Sequence, residues 1–184
     1  IREEKPFALM FPGVDTIRRC CRMSEQERLL IESPQRPIVL LEKIPVNPGL
    51  TVAPSVAPRN RFLGCFLGYT PLHHLLFRET SLEALVMTSG NQSDEPIVMA
   101  NDEPKRRLKG IADFCLLHDR DIHMRCDDSV ARVLHHGPRL IRRARGYAPT
   151  PIFLERSLPS VLGVGAELKN TVCLIRRKEA FISQ

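Results

Sequence analysis

The chain contains no tryptophan, few aromatic residues and no long apolar run. Aromatic residues make up 5% of its 184 residues, which disfavours binding of single-stranded nucleic acid, because proteins of that class stack bases on aromatic side chains. No run of about 18 apolar residues exists to form a membrane span. Hydrophobic residues nevertheless make up 43% of the chain, so wholesale disorder is excluded. We expect a globular cytoplasmic protein that does not contact a membrane.

Several catalytic and metal-binding motifs are also absent. The sequence has no G-x-S-x-G nucleophile elbow, no Walker loop and no Ser-His-Asp arrangement, so nothing in it identifies a protein nucleophile. Its six cysteines show neither a C-x-x-C pair nor a zinc-type spacing with histidine. We interpret them as buried or half-buried thiols rather than disulfides. The adjacent residues Cys20 and Cys21 are not expected to face one core.

Positive charge exceeds negative charge, with 27 Lys and Arg against 21 Asp and Glu and a net charge of +6. A modest excess of this kind suits either a nucleic acid or a small phosphate-rich ligand. The length predicts one domain, with at most an appendage. Ile1 is followed by the charged segment 2–5, which is typical of neither a signal peptide nor a natural beginning. We therefore interpret the sequence as part of a longer protein.

Short apolar segments alternate with helical patterns over most of the chain. Apolar runs predict strands over 7–10, 37–41, 62–67, 85–88, 114–117, 129–134 and 139–143. Helices are predicted to begin at Asp15, Ser24, Thr70 and Asn101, the third with Pro71 in its first position. The proline-rich stretch 45–60 is predicted to be an irregular loop. This alternation predicts an α/β fold with a twisted, mixed sheet flanked by helices.

The composition changes after Gly146. Pro149, Pro151 and Pro159 predict a linker over 151–160. Further short strands are predicted at 161–165, 171–175 and 180–183. So few strands form at best a marginal sheet on their own, and we interpret 161–184 as the opening of a second, truncated domain.

A small-polar loop follows the predicted strand 85–88. Thr88, Ser89, Asn91 and Ser93 offer hydroxyl and amide donors, and Gly90 lets backbone N–H groups approach an anion closely. These are the requirements of a phosphate or oxyanion cradle. The alternative is a turn whose side chains bond only their own backbone, and the residues alone leave the two interpretations even.

Two basic clusters and an acidic pair complete the candidate set. The basic residues are Arg2 and Lys5 before the first strand, and Arg139, Arg142, Arg143 and Arg145 along the last hairpin strand. Strand alternation predicts that Arg139, Arg143 and Arg145 share a face that suits a polyphosphate, although a solvated face has the same pattern. Asp127 and Asp128 suit a magnesium ion, but the start of a strand is the favoured interpretation.

Six motifs in one order carry a resemblance to a known family. They are Arg-Glu-Glu-Lys-Pro-Phe-Ala-Leu-Met at 2–10, Arg-Pro-Ile-Val-Leu-Leu at 36–41, Tyr-Thr-Pro-Leu-His-His-Leu-Leu at 69–76, Met-Thr-Ser-Gly-Asn-Gln-Ser-Asp-Glu-Pro-Ile at 87–97, Cys-Asp-Asp-Ser-Val at 126–130 and Arg-Arg-Ala-Arg-Gly-Tyr-Ala-Pro at 142–149. With them the chain resembles the YrdC-like domain of the HypF carbamoyltransferases, which are hydrogenase maturation proteins. The segment 165–171 is similar to the start of the Kae1-like domain that follows in that family. Two departures are Gly68 and Arg59, where the family usually has proline and glycine.

The resemblance implies an organisation and a reaction. Residues 1–150 would form a YrdC-like domain that lacks its first part, 151–160 a linker and 161–184 the first strands of a Kae1-like domain. With ATP and Mg²⁺ the YrdC-like domain would convert carbamate into carbamoyl-AMP. Other domains of the longer protein, including an acylphosphatase-like domain and a zinc-binding segment, would supply the carbamate and pass the carbamoyl group to the C-terminal cysteine of HypE.

The resemblance also implies roles for particular residues. The residues implied to be catalytic are Lys5, Ser89, Asn91 and Arg143. Those implied to bind the nucleotide are Arg2, Lys5, Thr88, Ser89, Asn91, Ser129, Arg143 and Arg145. Which of Arg142, Arg143 and Arg145 contacts the nucleotide is left open, as are the metal ligands and the roles of His73, His74 and His118.

Two alternatives remain. A threonylcarbamoyl-adenylate synthase of the Sua5/YrdC type shares the sheet and the Thr-Ser-x-Asn loop but makes a precursor for tRNA modification. A nonenzymatic module that binds RNA, including double-stranded RNA, would also account for the net positive charge.

Overall fold

A computed structural model describes residues 6–45, 49–93, 95–165 and 170–183. In chain order its elements are β1 Ala8–Phe11, α1 Val14–Arg18, α2 Glu25–Glu32, β2 Ile38–Glu42, a 3₁₀ turn Pro54–Val56, β3 Phe62–Leu67, α3 Pro71–Arg78, β4 Leu85–Met87, α4 Glu103–Arg107, β5 Val130–Leu134, β6 Gly137–Arg142, β7 Ile152–Val164 and β8 Val172–Ile182. These residues divide into two units. The first holds the described residues up to 87 and from 128 onward, and the second holds the described residues of 88–127.

A six-stranded mixed sheet organises the first unit, in the order β4-β1-β3-β2-β5-β6. The pairs β1–β3 and β2–β5 are parallel, and the pairs β1–β4, β2–β3 and β5–β6 are antiparallel. Both the mixed sheet and its flanking helices were expected from the alternating apolar and helical patterns. The α/β fold class is therefore confirmed.

The core of the first unit forms where the central strands meet α1 and α2. Its largest fully buried side chains include Phe11 from β1, Ile17 from α1, Ile31 from α2 and Leu63 from β3. Each such side chain stabilises the fold by about 1.5–3 kcal/mol relative to an exposed position. The helices of this layer are short, and α1 buries one side chain whereas α2 buries two.

The predicted helix starts are confirmed where a capping side chain marks them. Ser24 caps α2 by accepting the Glu27 N–H, and the Glu27 carboxylate accepts the Ser24 N–H at 2.7 Å. Thr70 caps α3 through a 3.2 Å bond from the His73 N–H, with Pro71 next. The Asp15 cap is wrong, since Gly13 precedes α1 and no side chain caps it.

The adjacent cysteines correct a second expectation. Cys20 and Cys21 are both buried in one core cluster together with Cys65. Because α1 ends at Arg18, Cys20 lies in a turn and Cys21 forms only an isolated bridge with Lys43, so the two-residue alternation of side chains in a strand does not apply. The Cys21 Sγ lies 3.8 Å from the Cys65 Sγ, and all six cysteines are free thiols. Hydrogen bonding to Cys21 and burial together raise the pKa of the Cys20 thiol.

The strand predicted over 114–117 is wrong. This segment is irregular, and the Phe114 side chain is 94% exposed. Every described strand lies in the first unit, so an extended segment in the second unit has no neighbouring strand to satisfy its backbone groups. The apolar run alone did not show that a partner was missing.

The segment 151–160, predicted to be an irregular linker, lies almost entirely within a strand. Residues 152–164 form β7, which pairs antiparallel with β8 in a separate two-stranded sheet. Pro159 is accommodated because the pairing register shifts between Leu158 and Val161, and proline is tolerated at such irregularities. The strands predicted at 171–175 and 180–183 are parts of the single strand β8. The assignment of 1–150 and 161–184 to separate domains stays a prediction.

No helix in the described part of the chain is long and apolar enough to cross a membrane.

Candidate functional site

The polar loop after β4 is a turn in which Thr88, Ser89 and Ser93 are exposed. The Asn91 N–H donates to the Ser89 carbonyl at 3.1 Å, and the Gly90 carbonyl accepts the Val98 N–H at 2.8 Å. The Asn91 amide Nδ2 donates to the Gln92 carbonyl at 2.7 Å. Ser89 is exposed, and its hydroxyl has no hydrogen-bond partner among the residues that the structure describes. The turn interpretation therefore holds for Asn91, whereas Ser89 is available to a ligand.

An ion-pair network braces this loop within the second unit. Arg107 contacts both Glu95, at 3.0 Å, and Glu103, at 2.8 Å. Its backbone carbonyl also accepts the Gln92 side-chain amide at 2.8 Å. Bonds from the backbone N–H groups of residues 99 and 100, followed by the one from Arg107, lower the pKa of Glu103 to about 2. Arg107 thus joins Glu95 to α4, and the Glu103 carboxylate in this network is ionised at neutral pH.

Glycine at position 90 leaves the loop backbone open. A Cβ atom built there would meet only the Leu108 side chain, at the ordinary contact distance of 3.8 Å. Packing therefore does not require glycine at this position. The missing side chain leaves room for a ligand to approach the backbone closely.

Ser129 lies in the first unit and is fully buried. Its hydroxyl donates to the Arg145 carbonyl at 2.9 Å and accepts the Ala144 N–H at 2.8 Å. These two bonds join the start of β5 to the segment after β6. The nucleotide contact predicted for Ser129 stays a prediction. What the structure shows for the Ser129 hydroxyl is a structural role.

Arg145 is held on all sides. Its Nε donates to the Asp128 carboxylate at 2.8 Å, and Nη2 donates to the Arg36 carbonyl at 2.9 Å. The guanidinium lies 3.4 Å from the centroid of the Tyr69 ring, at stacking distance. Each of its three nitrogens thus donates to the protein, Nη1 to the Gln35 carbonyl at 3.4 Å, and one face of the guanidinium lies on Tyr69.

Arg143 holds three backbone carbonyls. It donates to Ile182 at 3.3 Å, to Tyr147 at 2.9 Å and to Thr150. Because these carbonyls come from the end of β8 and from the segment before β7, the side chain ties the β7–β8 hairpin to the end of the main sheet. It also lines a cavity of about 270 Å³, beside Leu140 and Tyr147.

The shared face predicted for Arg139, Arg143 and Arg145 is wrong. Leu140 pairs with Ala131 and Arg142 pairs with Val130, so Ile141 is an extra residue in β6. Such a bulge inverts the alternation of side chains beyond it. Arg139 therefore shares its face with Arg142, and β6 ends before Arg143.

The acidic pair corresponds to the favoured interpretation, the start of a strand. Asp128 accepts the Arg145 Nε and forms an isolated bridge with Arg145 just before β5. Among the described residues no group of three or more His, Cys, Asp or Glu side chains is arranged to hold a metal ion. A magnesium ion held by one or two carboxylates together with phosphate oxygens needs no such group, so the magnesium site stays a prediction.

The candidate residues fall into three sets. Thr88, Ser89 and Asn91 lie together in the second unit, and Ser129, Arg143 and Arg145 lie together in the first. Arg2 and Lys5 lie outside the described residues. Sequence reasoning missed the contact of Arg145 with Tyr69. No local pattern in the sequence indicated it, because the two residues lie 76 positions apart.

The sheet and the polar loop belong to a recognised family. Residues 1–144 match the Sua5/YciO/YrdC family model, described as telomere recombination. The chain therefore belongs to this family.

Within the family, the resemblance to HypF proteins is confirmed. The chain is 45% identical to carbamoyltransferase HypF of Rhizobium leguminosarum over 188 residues, which is 99% of the chain and 24% of the relative. It is 47% identical to carbamoyltransferase HypF2 of Cupriavidus necator over 199 residues, which is 100% of the chain and 24% of the relative. A crystal structure of full-length HypF in the phosphate- and nucleotide-bound form superimposes with a TM-score of 0.90 at 45% identity, and it covers 100% of the chain and 28% of that structure. The chain thus spans about a quarter of the length of these relatives.

Proposed function

We propose that this chain is the carbamate-activating part of a carbamoyltransferase, and that it uses ATP to convert carbamate into carbamoyl-AMP and pyrophosphate. The observation that carries the proposal is the whole-chain likeness to a HypF protein that was crystallised with phosphate and nucleotide. The exposed Ser89 hydroxyl and the open backbone at Gly90 supply donors for such a ligand. The HypF names of the relatives support the same assignment.

The chemistry needs no protein nucleophile. A carbamate oxygen attacks the α-phosphorus of ATP in line, a new P–O bond forms, and the bond to pyrophosphate breaks. Positioning and neutralisation of charge then supply the catalysis. This requirement agrees with a sequence that offers hydrogen-bond donors and cations but no activated hydroxyl or thiol.

We assign the ligand contacts to two groups of residues. Thr88, Ser89 and Asn91 would donate to phosphate and carbamate oxygens, and Asn91 would exchange its bond to Gln92 for one to the ligand. Arg2 and Lys5 would neutralise the phosphates or the acyl carboxylate. Magnesium would bind mainly to phosphate oxygens and water, as it commonly does with nucleotides.

Ser129, Arg143 and Arg145 receive a different role in this proposal. Their polar groups already hold backbone atoms and Asp128, and a direct contact with the nucleotide would break those bonds. We assign these three residues to shaping the site. Their substitution would therefore lower stability before it lowered nucleotide affinity.

The rest of the reaction belongs to a longer protein. Its other domains would generate carbamate and would transfer the carbamoyl group to HypE during maturation of a hydrogenase. The β7–β8 hairpin would begin the domain that performs this transfer.

The test is carbamate-dependent exchange of labelled pyrophosphate into ATP by the full-length protein. Ser89→Ala should lower the exchange rate by about ten-fold or more, the loss measured when a donor to the transition state is removed. The exposed Ser81 provides a matched control, because Ser81→Ala makes the same chemical change outside the loop and should leave the exchange unchanged. A folded Ser89→Ala protein with undiminished exchange would remove Ser89 from the reaction.

One other member of the same family remains a candidate, because the matching family model includes Sua5. A threonylcarbamoyl-adenylate synthase would need threonine as well as bicarbonate and ATP. Formation of the adenylate that depends on threonine, with no response to carbamoyl phosphate as the carbamate source, would select this function over the proposed one.

A further inference from the structure

A chain of four side chains in the first unit ends at the imidazole of His73. The Asp128 carboxylate holds the Arg145 guanidinium, which stacks on the Tyr69 ring at 3.4 Å. The Tyr69 ring in turn meets His73 edge to face, with ring centroids 4.6 Å apart. Each group thus fixes the plane or the position of the next.

Two hydrogen bonds from backbone N–H groups also orient the His73 imidazole. The His73 N–H donates to the Thr70 hydroxyl at 3.2 Å, which fixes the first turn of α3. The Tyr69 N–H faces the His73 Nδ1 at 3.4 Å. Since Nδ1 then accepts, the ring proton of the neutral form lies on Nε2. His73 is half-buried, and Nε2 has no partner among the described residues.

The position of His73 also depends on Gly68. A Cβ atom at residue 68 would lie 3.1 Å from the His73 Cβ and 3.7 Å from His74 Cε1. The absence of a side chain at residue 68 thus permits this close contact between the end of β3 and α3. A Cβ atom at this position would require the His73 side chain to move by a few tenths of an ångström.

The charge state of the imidazole follows from its surroundings. Burial lowers the pKa of His73, the Arg145 and His74 side chains lower it further, and the Asp128 carboxylate opposes them. The ring is therefore neutral at neutral pH. A neutral N–H donor suits a carboxylate that must act as a nucleophile, because an imidazolium would hold the attacking oxygen in an ion pair and reduce its nucleophilicity.

We propose that His73 Nε2 donates a hydrogen bond to an oxygen of a small planar oxyanion, and that Tyr69 and Arg145 are positioning residues that act through His73. The inference rests on the proposed function for the identity of the reaction. The contact itself concerns any small planar oxyanion of the carbamate and bicarbonate class.

The first experiment does not depend on activity. The side-chain nitrogen shifts of His73 are followed by NMR in the full-length protein against pH and against added bicarbonate. We expect the proton on Nε2 and a shift of that resonance when bicarbonate is added. Arg145→Gln should raise the pKa of His73, because a cation that lowers it is removed, whereas Asp128→Asn should lower it. Absence of a bicarbonate response, or shifts of the same sign in both variants, would overturn the proposal.

The second experiment measures pyrophosphate exchange. His73→Ala should raise the KM for the acyl substrate or lower kcat by about ten-fold, as for loss of one positioned donor, and leave the KM for ATP within about two-fold. His73→Gln should recover part of the loss, because its amide reaches the position of Nε2, and His73→Asn should not. His136→Ala, in the exposed β5–β6 turn, is the control and should resemble the wild type.

The outcomes separate the two proposals. If the wild-type protein shows no exchange but Nε2 responds to bicarbonate, the reaction is wrong and the His73 contact stands. If exchange is robust and a folded His73→Ala protein retains all of it, the His73 contact is wrong and the reaction stands. If His73→Ala does not fold, the titration of the wild-type protein decides the matter.

Discussion

Replacing Ser129 by Ala removes a hydroxyl that is fully buried and bonded at both ends. The substitution leaves the Ala144 N–H, in a residue that is 2% exposed, without its partner. An unsatisfied buried donor of this kind costs about 1–3 kcal/mol, and loss of the bond to the Arg145 carbonyl adds about 1 kcal/mol. We therefore expect Ser129→Ala to reduce the free energy of unfolding by about 2–4 kcal/mol.

Urea unfolding followed by circular dichroism measures this loss. With a slope of about 2 kcal/mol per molar, the midpoint should fall by about 1–2 M. Ser81→Ala at an exposed position is the matched control and should leave the midpoint in place. A loss below about 0.5 kcal/mol, the range of neutral surface changes, would refute the structural role. If Ser129→Ala also lowered nucleotide affinity, this result would support the nucleotide contact predicted for Ser129.

Two further predictions concern other parts of the structure. Gly146→Ala should destabilise the first unit by at least about 2 kcal/mol in the same urea assay, because Gly146 has φ +87° and a Cβ there would lie 2.4 Å from the Gln35 carbonyl oxygen. Gly163→Ala is the control and should be neutral, since its Cβ would make only an ordinary contact at 3.8 Å. Equal losses of stability in the two variants would contradict this reasoning. The pKa of Glu103 is lowered to about 2, so the stabilising contribution of its carboxylate is present above the ordinary pKa of 4.5 and should be lost as the pH falls through about 2. The NMR resonances of the backbone N–H groups that face this carboxylate should titrate with that midpoint, and Glu103→Gln should abolish the titration. A midpoint near 4.5 would count against the network.

Local chemistry made much of the fold predictable. Ser24 with Glu27, and Thr70 with Pro71, each state the start of a helix through side chains a few residues apart. The apolar runs that became β1, β2 and β3 supply the core, and such runs were visible in the sequence. What these signals share is that cause and effect lie within one element.

Three of the failures depend on partners outside the element itself. The run containing Phe114 lacks a neighbouring strand, which no local pattern reveals. The bulge at Ile141 is visible only in the pairing of β6 with β5. The stacking of Arg145 on Tyr69 joins residues 76 positions apart. In the sequence the arginine-rich segment therefore resembled a ligand-binding surface, although part of it binds the protein's own backbone and an aromatic ring.

The position of β3 in the sheet has a consequence for the synthesis of the chain. β1 and β2 both pair with β3 and not with each other. As the polypeptide leaves the ribosome, β1 and β2 are therefore complete before the strand that they share has been made. The centre of the main sheet forms only when residues 62–67 emerge, and until then the apolar segments of β1 and β2 lack this neighbour and are more prone to aggregate.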